Sequence, residues 1–447
     1  MDAATHPLHN LIGHLWGKLP FEDYAYSQNL LSAIFASLTI CVVYFINVKI
    51  TSSRVASFIT SLALAVSHTF WWLAVVNESY SLVFFFFALC IFSTIIWVET
   101  RNDKWLYLFT FSFGLGISDH YILLIVSPVF IVLFFMVEPN FFNLRRIFLM
   151  LICFLVGTSL LIYIIVSQYS SLSLDLFEKV YGGPSKLLSE ALRYPFYILY
   201  QFPVFGFLLG CGGAWKLMKR DKKIFYFLIL LFLSDMVFSA WYMWERQPEM
   251  MVPSYIVFSL WIGMGVKIVF EKIRNASVFF HDKFRYVIPS TLFLFLVIFP
   301  VVFYYGMPHI VKKFGIRPLK IRSLPYRDND RYFLLPDKSS YFGAYEFGKE
   351  VFKIAEPNSI IIADFTPYEV LLYFQTIRKL RPDIELCYTW PDQRNPIDQG
   401  LIEKNIDKRA IYLVDIDDYP NLYKTGYLKG KYKFVPRGPL YQIQRKE

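Results

Sequence analysis

Long apolar runs alternate with short polar breaks through the first two thirds of the chain. A spanning helix needs about 20 mostly apolar residues, and ten runs approach this: 28–47, 55–76, 81–98, 105–118, 121–137, 147–167, 194–215, 224–243, 251–270 and 286–305. We therefore predict a polytopic α-helical membrane protein with about ten spans over residues 28–311. The runs 105–118 and 121–137 are short. One longer helix broken at Ser118-Asp119-His120 is the alternative, and it would invert the topology that follows.

The pattern changes after residue 311, where short β-rich runs alternate with helical stretches. The predicted strands are 359–365, 384–390 and 410–416, the predicted helices 369–380 and 398–406, and a final β pair covers 432–435 and 440–444. This alternation predicts a small α/β domain with a mostly parallel sheet. Neither GxGxxG nor Walker A is present, so nucleotide binding has no support. Asp364 ends a strand, a common place for ligands, but a helix-capping role is the favoured interpretation.

Composition agrees with a membrane protein. The chain is 56% apolar and only 18% charged, whereas soluble domains average about 25% charged residues. This excludes a disordered chain, a nucleic-acid binder with a basic surface and an ordinary cytosolic enzyme. The five cysteines show no CxxC spacing and mostly lie in apolar runs, so neither a disulfide framework nor a cysteine metal site is predicted.

The positive charges orient the predicted spans. Before residue 312 there are 21 Lys and Arg residues, and 16 of them lie in the loops at alternate ends of the spans: 49–54, 99–104, 138–146, 216–223 and 267–285. The positive-inside rule makes these loops cytoplasmic and supports ten spans. It places residues 312–447 outside, as an extracytoplasmic domain for acceptor recognition or partner docking. Ten of the 17 acids in the same stretch lie at the outer face; solvated loops and a catalytic or cation-binding face both explain them.

Two predicted hairpin tips at the outer face carry candidate chemistry. Glu78 and Tyr80 lie in Asn77-Glu78-Ser79-Tyr80, where an acid beside the hydrocarbon is a functional candidate, although a hairpin turn that reaches headgroup water is an alternative. The second tip, Asp119-His120-Tyr121, follows two glycines, Gly114 and Gly116, that would let helices approach closely. Its histidine can donate to a phosphate or hold a carboxylate; an interfacial histidine reaching water is the alternative.

Two further segments complete the candidate set. Residues 1–27 combine a histidine-rich start, including His6 and Asn10, with an apolar stripe typical of a helix lying in the membrane interface. The histidine spacing is not a metal-ligand pattern. Arg246, in the segment 241–253, is the only cation of the last outer loop before the tail. Arginine is a planar donor to phosphate, and an interface anchor beside aromatic residues is the alternative.

Five segments, in order, resemble polytopic membrane glycosyltransferases of the GT-C type, and most closely the transmembrane protein O-mannosyltransferase-like branch. They are HPLHNLIGHLWGKLPFEDYAYSQNLLSAIFASL, NESY, GLGISDHYILLIVSP, MVPSYIVFSLWIGMG and YRDNDRYFLLPDK. The resemblance implies inverting transfer of a sugar from a polyprenyl-phosphate donor to a protein or glycan hydroxyl at the outer membrane face. An acidic residue acts as base in such a reaction, and a divalent cation is an optional cofactor.

The resemblance also implies residue roles. Glu78, Asp119 and His120 become catalytic candidates, and His6, Asn10, Tyr80, Tyr121 and Arg246 become candidates for donor or acceptor binding. One departure is serious, since the family carries a first helix and an acidic segment upstream of the His-Pro motif, which here begins at His6. We therefore expect residues 1–27 to be the remnant of a first outer loop, with either a misassigned start or a shortened, inactive relative.

The partners implied are a polyprenyl-phosphate-linked sugar, an acceptor protein or glycan and the lipid bilayer, with no nucleic acid. Composition favours a bacterial inner membrane. The rival hypothesis is a transporter or envelope-assembly scaffold without enzymatic activity. Transporters typically show repeated halves, and no internal repeat is visible.

Overall fold

The structure is a computed structural model, and it describes residues 6–167, 184–242, 247–276, 284–316, 322–389, 397–416 and 426–446. The chain forms two compact units. The first comprises Met1–Met307 with Leu335–Lys338, and the second comprises Pro308–Leu334 with Ser339–Glu447.

The first unit is helical, and its last helix continues past Met307 into the second unit. Its helices are α1 (Pro7–Trp16), α2 (Tyr24–Thr51), α3 (Arg54–Ala65), α4 (His68–Ala74), α5 (Tyr80–Thr100), α6 (Lys104–Ile117), α7 (Ile122–Val137), α8 (Leu144–Ser167), α9 (Pro184–Gln201), α10 (Phe205–Arg220), α11 (Lys222–Trp241), α12 (Gln247–Met250), α13 (Val252–Ala276), α14 (Phe284–Phe293) and α15 (Phe299–Phe314), with a π-helical turn at Leu294–Ile298 between the last two. Side chains from most of these helices form one continuous apolar core.

Fewer helices than predicted are long enough to span a membrane. Within the described ranges six qualify by length and apolar composition, or up to eight if each of two bent pairs is one span. The pairs are α3 with α4, bent by 71°, and α9 with α10, bent by 115°. The prediction of about ten spans therefore exceeds the observed number. The count is lower for two reasons. Hydropathy does not detect the bends within the two pairs, and the predicted spans 105–118 and 121–137 form helices of only 14 and 16 residues.

These two short helices are nevertheless separate, because the chain turns at Ser118-Asp119-His120-Tyr121 between them. Helix α6 packs closely against α8, as the glycine in its sequence predicted. A Cβ atom on Gly114 would lie 2.8 Å from the carbonyl oxygen of Phe154 and 3.1 Å from the Cα of Gly157. Only glycine permits so close a backbone approach.

Charged loops at one end of the helical unit bind one another, and we call this the basic end, defined by Lys49, Arg101, Arg146 and Arg220. Lys49 pairs with Glu99 at 2.7 Å, and Arg146 pairs with both Asp103 and Glu138. Arg101 donates to the carbonyl of Val137, and Arg220 to that of Ile50. These contacts join the ends of α2, α5, α7 and α10 to the starts of α6 and α8.

The second unit is built around a five-stranded sheet. It contains α16 (Asn329–Leu334), α17 (Gly343–Ile354), β1 (Ile360–Ala363), α18 (Phe365–Thr376), β2 (Glu385–Tyr388), α19 (Gln399–Asn405), β3 (Ile411–Leu413), α20 (Gly426–Lys429), β4 (Tyr432–Arg437) and β5 (Leu440–Arg445). The strand order is β2-β1-β3-β5-β4, in which the first three are parallel and β5 pairs antiparallel with both β3 and β4. The α/β class and the parallel core of the sheet are as predicted.

The predicted capping role of Asp364 is wrong. Asp364 occupies the N-cap position of α18, but its side chain makes no capping hydrogen bond. The Arg322 guanidinium instead pairs with Asp364 and lies 2.8 Å from an oxygen of Asp415. The two aspartates follow the adjacent parallel strands β1 and β3, so one arginine joins the carboxyl ends of two strands.

Candidate active site

The N-terminal helix α1 is held against the turn between α6 and α7. The Leu8 amide donates to the Ser118 carbonyl at 3.2 Å, and His6 Nδ1 donates to the Asp119 carbonyl at 2.8 Å. Pro7 occupies the first helical position, where its missing N–H costs nothing. Two predicted segments that are far apart in the sequence therefore meet.

Aromatic rings from three segments stack at this junction. The ring centroids of His6 and His120 lie 5.1 Å apart, those of Tyr80 and His120 5.3 Å, and those of His120 and Tyr121 4.5 Å. The Tyr121 hydroxyl donates to the Tyr242 hydroxyl at 3.1 Å. The structure thus brings together four of the candidate residues, around His120 at the centre.

His120 is neutral, and its tautomer follows from its contacts. Its Nδ1 accepts a hydrogen bond from the Ile122 amide at 3.1 Å, so in the neutral ring the proton is on Nε2. Burial, together with a smaller effect of the neighbouring His6, lowers the pKa of His120 to about 3. The ring can therefore donate from Nε2 at neutral pH, but it does not serve as a cation there.

Asp119 is buried beside it, with 2% of its surface exposed. Among the described residues neither carboxyl oxygen has a hydrogen bond of standard geometry. Burial raises the pKa of Asp119 well above its usual value, and the nearby His9 amide opposes this only in part. An acid in such surroundings is stable as the neutral carboxylic acid.

His9 and Asn10 lie in the first turns of α1. His9 Nε2 donates to the Asn77 side-chain oxygen at 3.2 Å, which ties α1 to the Glu78 segment. Burial lowers the pKa values of both His6 and His9 below the ordinary histidine value. The Asn10 backbone amide donates to the His6 carbonyl at 3.0 Å in the first turn of α1, and the Asn10 side chain is half-buried.

Two acidic residues lie within electrostatic range of the Tyr80 hydroxyl. Glu249 and Glu78 both lie within electrostatic range of it, as do Tyr121 and Tyr242. Glu78 is half-buried in the connection between α4 and α5, whereas Glu249 is only 5% exposed. Next to Glu249, the Met250 sulfur lies 3.9 Å from the Tyr80 hydroxyl.

Glu249 is the residue that the sequence analysis missed. It was counted among the outer acids, but Arg246 was chosen from the same segment, and Arg246 lies outside the described residues. The sequence feature that could have indicated Glu249 is an acid between Pro248 and Met250, directly before a predicted span. In the parts of the chain that the structure describes, no three His, Cys, Asp or Glu side chains could together hold a metal ion.

Comparison with known proteins finds a related family over part of the chain. Residues 3–142 match the family model described as the N-terminal domain of the protein O-mannosyl-transferase TMEM260. This region contains His6, Glu78, Tyr80, Asp119 and His120. A comparison with curated proteins finds no match.

Solved structures extend the likeness to the whole chain. Crystal structures of ArnT from Cupriavidus metallidurans, in the apo state and bound to undecaprenyl phosphate, align with a TM-score of 0.58. Each alignment has 12% identity and covers 98% of this chain and 87% of the ArnT chain. At this identity the likeness shows the fold.

The fold and the family match together support a membrane glycosyltransferase of the GT-C type. The resemblance to the O-mannosyltransferase-like branch is confirmed over residues 3–142, which the family model matches, and the fold shared with ArnT extends over 98% of the chain.

Proposed function

We propose that this protein transfers a sugar from a polyprenyl-phosphate donor to a hydroxyl of a protein or glycan acceptor, with inversion at the sugar C1. The observation that carries the proposal is the junction at which His6 and Tyr80 both pack against the His120 ring, with Glu78 and Glu249 within electrostatic range of the Tyr80 hydroxyl. The ArnT fold, which has been crystallised with undecaprenyl phosphate, supports a polyprenyl-phosphate donor.

Glu78 is the proposed general base. The acceptor oxygen attacks the sugar C1, its proton passes to the Glu78 carboxylate, and the C1–O bond to the phosphate breaks with its electron pair leaving on the phosphate. Glu78 suits this role because it is only half-buried, so an acceptor can reach it. General-base help is worth about 10²–10⁴ in rate. Glu249, more deeply buried, positions Tyr80 against the acceptor.

The leaving phosphate needs hydrogen-bond donors. The Nε2–H of neutral His120 is the proposed donor, and its orientation is fixed because Nδ1 is held by the Ile122 amide. His6, Asp119 and Tyr121 pack around or beside the ring and position it. Asn10 and Arg246 remain proposed donor- or acceptor-binding residues. A divalent cation remains an optional partner of the phosphate.

The proposed location is the outer face of a bacterial inner membrane, with the second unit extracytoplasmic. The bias of positive charge towards one set of loops supports this orientation. The second unit is proposed to recognise the acceptor or a partner protein.

The test is a transfer assay on the purified chain in lipid, with polyprenyl-phosphate sugars as donors and loss of donor as the readout. Glu78→Gln is expected to lower kcat by about 10²–10⁴, with little change in the KM for the donor. Glu22→Gln is the matched control, since Glu22 is an exposed acid in the loop between α1 and α2. Equal loss in both variants contradicts the assignment of the base.

The same preparation distinguishes the rival class. If a folded chain transfers no sugar but moves a lipid-linked substrate across the bilayer, and Glu78→Gln leaves that movement intact, the protein is a transporter. The transferase proposal would then be wrong.

A further inference from the structure

A basic cavity lies between the ends of two tightly packed helices, far from the candidate active site. Its volume is about 260 Å³, and its lining is Lys216, Lys219, Arg220, Met264, Lys267 and Glu271. Four cations and one acid share this space, so positive charge is in excess by three. Lys216, Lys219 and Arg220 are exposed and Lys267 is half-buried, so an anion can reach these cations and would relieve the repulsion among them.

The cavity is held by backbone contact between α10 and α13. A Cβ atom on Gly213 would lie 1.8 Å from the Trp261 carbonyl oxygen, and one on Gly265 would lie 2.1 Å from that of Leu209. One and two turns beyond Gly213 on the same helix face stand Lys216 and Arg220. Lys267 follows Gly265 on the facing helix. The close approach therefore brings the cations of both helices together.

In the described parts of the chain, hydrogen bonds and ion pairs satisfy only part of this charge. Arg220 donates to the Ile50 carbonyl at 3.0 Å, and Lys267 lies 3.5 Å from Glu271. The Lys219 ammonium lies over the Trp215 ring, 4.5 Å from its centroid. Helix-end dipoles explain cations in the last turn of α10, at Lys219 and Arg220. They do not explain Lys267, which lies well before the end of α13.

The position of the cavity indicates what reaches it. Trp215 is 59% exposed, and exposed tryptophans are enriched at the level of lipid headgroups. Lys267 lies 15 residues after Val252, where α13 leaves the segment of Glu249. At 1.5 Å per residue this is about 22 Å along the helix. The cavity therefore lies at the basic end, on the far side of the helical unit from the candidate active site.

We propose that this cavity binds the phosphate headgroup of an anionic phospholipid. The cations of Lys216, Lys219 and Lys267 contact the phosphate oxygens, and the buried side of Met264 provides an apolar floor. Basic pockets between spanning helices bind anionic headgroups by this chemistry. The site is separate from the proposed transfer reaction, and the proposal stands whether or not that reaction is correct.

The test uses the full chain, stripped of lipid in a neutral detergent and titrated with short-chain phosphatidylglycerol, with bound lipid measured by native mass spectrometry. Each cation near the membrane surface contributes about fivefold in affinity, so Lys216→Gln with Lys219→Gln is expected to weaken binding about 25-fold. Glu271→Gln is expected to strengthen it, because one negative charge leaves the cavity.

The matched control is Lys222→Gln with Lys223→Gln, which removes the same charge from neighbouring exposed positions that do not line the cavity. It should bind as the unaltered chain does. Lys216→Arg with Lys219→Arg should retain binding and shows that the site survives substitution. Equal loss in the control pair, equal binding of phosphatidylcholine, or full competition by millimolar inorganic phosphate would each overturn the proposal.

Discussion

Asp119 illustrates how burial determines the state of a single group. Its carboxyl is buried with a raised pKa, so the folded protein holds a proton there that the unfolded chain releases. A raised carboxyl pKa stabilises the fold at low pH, and this stabilisation is lost as pH rises through the unfolded value towards the folded one. At neutral and higher pH, Asp119 therefore destabilises the fold.

Asp119→Asn should raise the thermal unfolding midpoint at pH 8 and leave it nearly unchanged at pH 4. The amide is neutral at both pH values and has the same shape, so it removes the penalty for ionising a buried carboxyl at high pH. That penalty is about 1.4 kcal/mol for each pH unit between the folded and unfolded pKa values. Asp23→Asn is the control, because Asp23 caps α2 and asparagine caps equally well. A lower midpoint for Asp119→Asn at pH 8 would contradict a neutral Asp119.

His120 should make the fold sensitive to acid. Its pKa is about 3 in the folded protein and near 6.5 when unfolded, so between these values only the unfolded chain binds the proton. The contribution of His120 to stability is expected to fall as pH decreases from 7 to 4, opposite in sign to the contribution of Asp119. His120→Asn keeps an acceptor for the Ile122 amide and should raise the unfolding midpoint at pH 4 relative to that at pH 7. His14→Asn, at an exposed histidine, should leave the wild-type slope.

The Arg322 bridge should contribute to stability far more than an exposed ion pair does. Arg322→Ala leaves Asp364 and Asp415, each about nine-tenths buried, without this partner. Removing one member of a buried pair costs about 3–5 kcal/mol. Arg445→Ala removes an equally close but exposed pair with Asp407, for which little or no loss of stability is expected. Thermal unfolding of the two variants checks the difference, and similar losses would contradict it.

The packing of α10 against α13 should depend on Gly213 but not on its neighbour Gly212. Gly213→Ala should lower the unfolding midpoint sharply, because the new methyl would overlap the Trp261 carbonyl, and backbone cannot move aside. Gly212→Ala meets no atom within 4 Å and should be neutral or stabilising. Alanine is favoured over glycine in a helix by about 1 kcal/mol. If both variants unfold alike, α10 and α13 do not make this contact.

At the level of helices and strands, apolar runs located most elements but not their geometry. The run 55–76 appears continuous by hydropathy, yet it bends by 71° between Ala65 and His68. Such a bend depends on tertiary contacts that residue order does not contain. The strands were predictable because their apolar residues are contiguous, whereas the bond from Arg322 to Asp364 joins residues that are 42 positions apart.

The candidate site was predictable where chemistry is concentrated in short motifs. Glu78, Tyr80, Asp119 and His120 stand at hairpin tips, and topology alone places such tips at the same face. Glu249 was not predicted, because it belongs to no sequence motif and lies in a segment that also contains Glu245 and Arg246. Its importance comes from burial beside Tyr80, which only the folded chain creates.

The reduced number of spans leaves one whole-molecule prediction intact. Six, eight and ten spans are all even, so with any of these three counts both ends of the helical unit face the same side. Positive charge is concentrated at the basic end. The positive-inside rule therefore predicts that the basic end is cytoplasmic and that the active-site end and the second unit are outside.

Single cysteines placed in a cysteine-free background test this orientation. Glu22→Cys and Lys433→Cys should react with an impermeant maleimide added to intact cells, because both positions are exposed and predicted to be outside. Lys222→Cys, equally exposed but at the basic end, should react only after the membrane is permeabilised. The reverse labelling would invert the protein and place Glu78 and His120 in the cytoplasm. In that case the donor would have to be loaded, and the acceptor glycosylated, on the cytoplasmic side.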